Sequence, residues 1–480
     1  MFFGLPAGTH AVPGAGMGAD DGWLFFRTRF GTDLAQGSQI PFPATIETAR
    51  IMKSNTAASS PLRSFRIVAD APYVEAARRL LETEGFRFEP EPFSEVCWRL
   101  TEEPFPLGSS LAAFFGYIYI QDRSSMLPPL ALNPEPGSFV LDMCSSPGSK
   151  TGFDAQLVGR DGFVLANELS HSRLNTLRMT LHTCNAVQVG TCSYSGDKLP
   201  LPAGSCRYIQ LDPPCSGWGT VEKNPHVLEV WKKEKVQPLI QLQRSLLQHA
   251  ALLLAPGGTV VYSTCTTNSD ENERQVEYAE RELGLVRDPI EPFAGFAWDP
   301  RVGSEGTLRV DGEKSQAQGF YIARLKKPEA SPAEDDSGFS LAGRQDSQWG
   351  GGTVQDKELA CSTLAPDMLP KGRCGVFSGM VRFLPQLSAQ VLPEKFVWQG
   401  YALGKMGAGG FQADPRFRMC MRPSEQSVVL ESPAEVRALL SGAAHKTDLK
   451  GKEAGLWLND LPLGRVSLRQ GRLIAAFGRC

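Results

Sequence analysis

Between residues 138 and 267 the chain alternates short apolar runs with segments of helical period, and few folds accept such an alternation. Strands are expected at Ser138–Cys144, Gly162–Asn167, Val187–Cys192, Tyr208–Asp212 and Thr259–Thr264. Helices are expected at Thr151–Leu157, Ser172–His182, Pro238–Leu254 and Glu271–Leu283, with Pro256-Gly257-Gly258 stopping the long one. Alternating β and α predicts a doubly wound, Rossmann-like parallel sheet. Ligands of such sheets bind outside the carboxyl ends of the strands.

The first strand runs directly into a turn of small residues, Cys144-Ser-Ser-Pro-Gly-Ser-Lys150. A strand-to-helix turn leaves backbone N–H groups available at the helix start, which suits a carboxylate or a nucleotide sugar. The turn is neither G-x-G-x-x-G nor G-x-x-x-x-G-K-[ST], which argues against dinucleotide and P-loop sites. Glu168 ends the second strand, where an acid can accept both hydroxyls of a ribose. It could equally be an acid favouring a helix N-terminus. The fourth strand leads into Asp212-Pro-Pro-Cys-Ser-Gly-Trp-Gly. Two prolines stiffen this exit and two glycines tighten the loop, holding Asp212 and Cys215 at the sheet edge. The fifth strand ends in Ser263-Thr-Cys-Thr, with Ser269 or Asp270 expected to cap the next helix. A lone cysteine after a strand is usually inert. Cys215 and Cys265 on neighbouring strand ends, beside a carboxylate, form a candidate thiolate site.

Length and composition bound the rest. A chain of 480 residues accommodates two to four domains. No apolar run reaches the roughly 18–20 residues needed to span a bilayer, and the N-terminus lacks a basic leader segment. A cytoplasmic monomer without a membrane partner is expected. The eleven cysteines include no C-x-x-C pair, so neither a zinc ribbon nor another metal site is expected. The net charge of −3 gives no global nucleic-acid signature. Residues 356–480 nevertheless carry 17 Lys/Arg against 11 Asp/Glu, with Arg465, Arg469, Arg472 and Arg479 at the end. Such a surplus is compatible with a phosphate backbone and also with a solvated face.

Five segments follow from these patterns. Residues 1–60 read as an irregular Gly/Ala/Pro-rich extension, with Met52 as a candidate true start. Residues 61–130 read as a small α/β module, 131–326 as the main sheet domain, 327–358 as a linker, and 359–480 as a β-rich module. The aromatic stretch 114–126 is expected either as a strand on the main sheet or as a lid.

With these motifs in order, the sequence resembles the RNA cytosine-5 methyltransferases of the Nop/Sun family, of the RsmB/RsmF kind. The family's D-x-C-A-A-P-G-G-K-T appears as Asp142–Thr151, with Ser145, Ser146 and Ser149 replacing Ala, Ala and Gly. Its D-x-P-C-S-G appears at Asp212–Gly217, and its S-T-C-S with a following E-N-E at Ser263–Thr266 and Glu271–Glu273. Leu461-Pro-Leu-Gly464 resembles the C-terminal RNA-binding module of RsmF-like enzymes. The resemblance implies a class I methyltransferase sheet and S-adenosyl-L-methionine as cofactor. Cys144, Ser145, Ser146, Pro147, Gly148, Ser149 and Lys150 would hold its methionine end and Glu168 its ribose, with Asp212 nearby. Where the family places an Asp against the adenine, this chain has Ser195, with Asp197 two residues on. The resemblance further implies Cys265 as the nucleophile that attacks cytosine C6. Asp212 would bind the cytosine edge, and Cys215 would assist product release. Small-subunit rRNA is the expected substrate and tRNA the alternative.

Three rivals have stated signatures. DNA cytosine-5 methylation would make Cys215 the attacker, and the Thr264-Cys265 motif argues against it. Amino-group methylation at a D-P-P-Y motif needs an aromatic where Cys215 stands. A non-catalytic RNA-binding assembly factor would bind RNA without transferring a methyl group, yet both cysteines and the acid are retained.

Overall fold

The computed structural model describes residues 63–220, 233–329, 352–359, 364–475 and 477. The extension 1–60, and with it Met52, lies outside the described residues.

The first described module is a four-stranded sheet backed by a helix. Strands β1 (Ser64–Ile67), β2 (Arg87–Glu91), β3 (Ser94–Glu102) and β4 (Ile118–Ile120) lie in the order β2-β3-β1-β4. Helix α1 (Val74–Thr83) buries Ala76, Ala77, Leu80 and Leu81 against them, one face at the i, i+3, i+4 spacing. Within the aromatic stretch, β4 pairs antiparallel with β1, so this strand belongs to the first module's sheet and not to the main sheet. The buried Arg66 of β1 finds one partner just past β4, its Nε donating to Gln121 Oε1 at 3.0 Å.

The central sheet has eight strands. They are β5 (Phe139–Asp142), β6 (Phe163–Asn167), β7 (Val189–Cys192), β8 (Cys206–Leu211), β9 (Leu254–Thr264), β10 (Val286–Arg287), β11 (Leu308–Val310) and β12 (Phe320–Lys326). The order is β10-β12-β9-β8-β5-β6-β7, with β11 paired to β12. Pairings from β9 through β7 are parallel, while β12 runs antiparallel to β9. Helices α2 (Ser149–Val158), α3 (His171–Thr183), α4 (Lys233–Leu253) and α5 (Glu273–Leu283) provide crossovers and cover. Every residue of β5, β6 and β7 is buried, as expected for parallel strands covered on both faces. The Val, Leu and Phe side chains among them contribute about 1.5–3 kcal/mol each on burial. The order reverses between β5 and β8, so a topological switch point opens between the turn after Asp142 and the loop after Leu211.

Residues 352 onward form two further sheets. The first contains β13 (Gly352–Val354), β14 (Gly372–Phe377), β15 (Met380–Pro385), β16 (Tyr401–Gly407) and β17 (Gly410–Ala413) in sequential order. Gly352–Val354 lies inside the stretch expected as linker, yet it pairs antiparallel with β14. The second contains β18 (Ser427–Leu430), β19 (Glu453–Leu458), β20 (Leu461–Arg469) and β21 (Arg472–Ala475), joined by α6 (Pro433–Leu440). A capping box between Ser432 and Glu435 starts α6. This second sheet shares one core with the first module: Phe65, Leu81 and Phe115 pack in the same cluster as Leu456, Leu463 and Phe477.

The C-terminal part also extends the central sheet. Gln399 forms a β-bridge with Thr191 of β7, with N–H···O bonds of 2.8 Å in each direction. Gly190 permits this approach, since a Cβ there would lie 2.5 Å from the Trp398 ring. Part of the basic surplus is spent inside the molecule. Arg418 is buried and donates to Thr183 O and Gly116 O, and Arg416 donates to Phe114 O. Arg465, expected in an exposed basic end, is buried. Among the described residues no helix is long and apolar enough to cross a membrane.

Candidate active site

Two loops meet at the carboxyl ends of β8 and β9. The loop after β8 carries Asp212 and Cys215, and the turn after β9 carries Cys265. Gly219 N–H donates to Cys265 O at 2.8 Å, which pins the first loop to the second. Only glycine permits this approach, because a Cβ at 219 would sit 2.3 Å from Gly319 O and 2.8 Å from Cys265 O. The two sulfurs face each other, with Cys215 Sγ 3.3 Å from Cys265 Sγ.

The thiols differ in electrostatics. The Cys265 pKa is lowered, first by the hydrogen bond from Cys215, with help from the Lys150 ammonium, against opposing burial and Asp212. Cys215 is pushed well up, by that same hydrogen bond and by burial. Either sulfur can donate in this contact, and the opposed shifts favour Cys265 over Cys215 as the thiolate. The structural cysteines behave otherwise. Burial raises Cys97 to about 11 and Cys206 to about 12.

Asp212 is held by two donors. Lys150 Nζ donates to its Oδ2 at 2.7 Å, and Ser263 Oγ to its Oδ1 at 2.9 Å. Lys150 lies in the first turn of α2, so the turn after β5 and the loop after β8 are tied across the switch point. The Lys150 nitrogen thus binds Asp212, and its charge favours the Cys265 thiolate.

The turn after β5 is shaped by Asp142. This buried carboxyl accepts from Thr151 Oγ1 at 2.6 Å and from Cys144 N at 3.3 Å, and burial raises its pKa to about 6. Ser145 Oγ donates to Asp142 O, while Ser146 Oγ donates to Arg173 O and Ser146 O accepts from Arg173 Nη2. Pro147 follows in the turn, and Gly148 takes φ +106, which favours glycine before α2 begins at Ser149. Glu168 is buried at the end of β6, with one oxygen accepting from Ser170 N at 2.8 Å and the other 3.5 Å from Arg173 Nε. Ser195 Oγ donates to Asp197 Oδ1, so the two candidates for the adenine slot form one unit.

Several residues in the site were not singled out from the sequence. Asn167 ties the strand ends together: its Nδ2 donates to Met143 O and Tyr194 O, and its Oδ1 accepts from Tyr194 N. A polar residue closing an apolar strand was its only signal. Ser263 was visible only as part of the Ser-Thr-Cys run. Neither Ser269 nor Asp270 caps α5; its N-cap is Asn272, whose side chain makes no capping bond. Asn272 Oδ1 instead accepts from Thr264 Oγ1, and its Nδ2 donates to Thr266 O. The capping role yields because the Cys265 turn has polar groups that need these partners.

A parallel sheet with this switch point, a small-residue turn and an acid ending the neighbouring strand defines a methyltransferase fold of class I. Residues 129–326 match the family model of the 16S rRNA methyltransferases RsmB/F. The ribosomal RNA small subunit methyltransferase F of Shewanella amazonensis is 36% identical over 278 residues, covering 56% of this chain and 58% of the relative. That of Salmonella agona is 37% identical over 299 residues, covering 60% and 61%. The chain thus spans less than two thirds of the length of these relatives. Among solved structures, PH0851 matches with a TM-score of 0.50 at 27% identity, covering 56% of this chain and 60% of that one. NSun6 from Pyrococcus horikoshii, solved with SFG, shares the fold at a TM-score of 0.51 and 21% identity, covering 59% and 95%.

Proposed function

We propose that this protein methylates cytosine C5 in RNA, with small-subunit rRNA as substrate, through a covalent bond between Cys265 and cytosine C6. The observation that carries this reading is the Cys215–Cys265 pair at 3.3 Å, one thiol lowered and the other raised in pKa.

Cytosine C5 is too weak a nucleophile to accept a methyl group unaided. Addition of the Cys265 thiolate to C6 makes C5 enamine-like. Asp212, fixed by Lys150 and Ser263, is the group to hold the N3/N4 edge of the base as charge develops there. After methylation the C5 proton leaves to water, the C5=C6 double bond re-forms and Cys265 departs as thiolate. Cys215, whose sulfur lies 3.3 Å from that of Cys265, donates its S–H to stabilise that departing thiolate. The target base must be unstacked for a thiol to reach C6.

The residues fit S-adenosylmethionine, which supplies the methyl group when bound. The turn of small residues Cys144, Ser145, Ser146 and Gly148, with Pro147, Ser149 and Lys150 completing it, suits the amino-acid end. The Glu168 carboxylate suits a ribose. The Ser195–Asp197 unit suits the adenine edge.

The test is transfer of labelled methyl groups to separated small-subunit rRNA and tRNA. Cys265→Ala is expected to lose transfer by at least about 1,000-fold, as for removal of a nucleophile. Cys215→Ala is expected to trap a protein–RNA adduct. If Cys215→Ala abolishes the adduct and Cys265→Ala retains it, the roles are reversed. Labelling of tRNA alone would overturn the rRNA assignment.

A further inference from the structure

Glu271 is wholly buried beneath the two cysteine loops, and the chemistry proposed above assigns it no part. Four donors converge on its carboxylate. Ser216 N and Gln243 Nε2 reach Oε2 at 2.9 and 3.1 Å. Ser216 Oγ and Asn268 Nδ2 reach Oε1 at 2.5 and 3.1 Å. Ser216 directly follows Cys215. Its hydroxyl also lies 2.8 Å from Thr266 Oγ1, and Thr266 directly follows Cys265. A carboxylate only accepts, so the Ser216 proton points to Glu271 and Thr266 donates to Ser216. A chain of polar groups thus runs from Glu271 through Ser216 to Thr266, joining the residues next to the two thiols. Gln243 of α4 anchors it further, donating to Pro214 O at 3.0 Å. Tyr262 O–H, donating to Glu271 O at 2.6 Å, fixes the carboxylate's own backbone to β9.

We propose that Glu271 is a positioning residue that acts through Ser216 and Thr266 to hold Cys215 S–H against Cys265, and so sets the rate of product release. The inference rests on the two-cysteine reading of the preceding subsection. Bond making to C6 is carried by Cys265 and Asp212, neither of which Glu271 touches, and at a pH high enough to ionise Cys265 it no longer depends on the Cys215 hydrogen bond. Expulsion of Cys265 needs the Cys215 hydrogen bond, and Glu271 fixes the loop that carries it. Within this fully packed nest, glutamine is isosteric but opposes donors with its own N–H₂.

The experiment compares wild type, Cys215→Ala, Glu271→Gln and Ser216→Ala as full-length protein with labelled S-adenosylmethionine and RNA. Two readouts are taken: single-turnover methyl transfer, and the denaturation-resistant protein–RNA adduct that accumulates at steady state. Glu271→Gln is expected to keep first-turnover transfer within a few-fold, lose about 100-fold in steady-state turnover, and accumulate adduct as Cys215→Ala does. A variant that is merely less stable would lose adduct and turnover together. Should Glu271→Gln melt below the assay temperature, Ser216→Ala carries the same expectation, since it cuts both bonds of the Ser216 hydroxyl. If Cys215→Ala itself accumulates no adduct, the two-cysteine reading fails. If Cys215→Ala accumulates adduct while Glu271→Gln and Ser216→Ala turn over as wild type, or form no adduct, the positioning role is refuted.

Discussion

At the scale of single residues, the protein separates one thiol from the others by what surrounds it. Cys97 and Cys206 are buried among apolar groups and rise in pKa, whereas Cys265 has a thiol donor and an ammonium in reach and falls. The sign of the pH dependence follows. A lowered pKa keeps the thiolate populated above the shifted value and loses it as pH falls through that value. The acidic limb of first-turnover transfer is therefore expected below the range of an ordinary thiol. Lys150→Met removes a cation that favours the thiolate and leaves Asp212, which opposes it. Its acidic limb is expected at higher pH than in wild type, read from the pH profile of adduct formation. A limb that stays in place would show that Lys150 does not tune Cys265.

At the scale of elements, the site depends on two loops that approach closely enough to exclude side chains. Gly219 sits where the loop after β8 crosses the turn after β9. In Gly219→Ala the added methyl group would meet backbone on two sides, Gly319 O and Cys265 O. Such overpacking costs about 1–3 kcal/mol, and a displacement near 1 Å at reacting groups costs about 100-fold in rate. Thermal unfolding together with the turnover number checks both parts. Wild-type activity in this variant would mean that the loop tolerates a shift without moving Cys215. The switch between β5 and β8 matters in the same way, because it brings Lys150 and Asp212 to 2.7 Å from chain positions 62 residues apart.

At the scale of the whole molecule, the flanking modules are built into the central domain. Arg418 spans three parts of the chain, donating to Gly116 O at 2.8 Å and to Thr183 O at 2.9 Å while its guanidinium lies over the Tyr117 ring. Charged hydrogen bonds of this kind are worth about 1.5–3 kcal/mol each, and their loss leaves carbonyls without a partner. Arg418→Met is expected to lower the unfolding free energy by about 3 kcal/mol, measured by urea denaturation. A loss below about 0.5 kcal/mol, the range of an ordinary surface substitution, would mean that this residue does not join the modules.

The order of strands and helices, the turn at Cys144–Lys150 and the two cysteine loops were legible in the chain, because they rest on local patterns. Apolar runs bounded by Gly and Pro mark strands wherever those strands end up. Motif spacing placed Glu168, Asp212, Cys215 and Cys265 at strand ends before any packing was known. Pairings between distant segments were not legible. β4 joins β1 beside the buried Arg66, which donates to Gln121, and nothing near residue 120 announces that pairing. Basic residues of the C-terminal part read as surface charge, yet Arg416, Arg418 and Arg465 contribute to contacts that composition cannot reveal. Glu271 stood in plain view as the start of a helix motif, but its four donors come from chain positions up to 55 residues away. Local periodicity is written in neighbouring residues. The pairing of buried polar groups is settled only when the folded chain removes water and each group must find its partner.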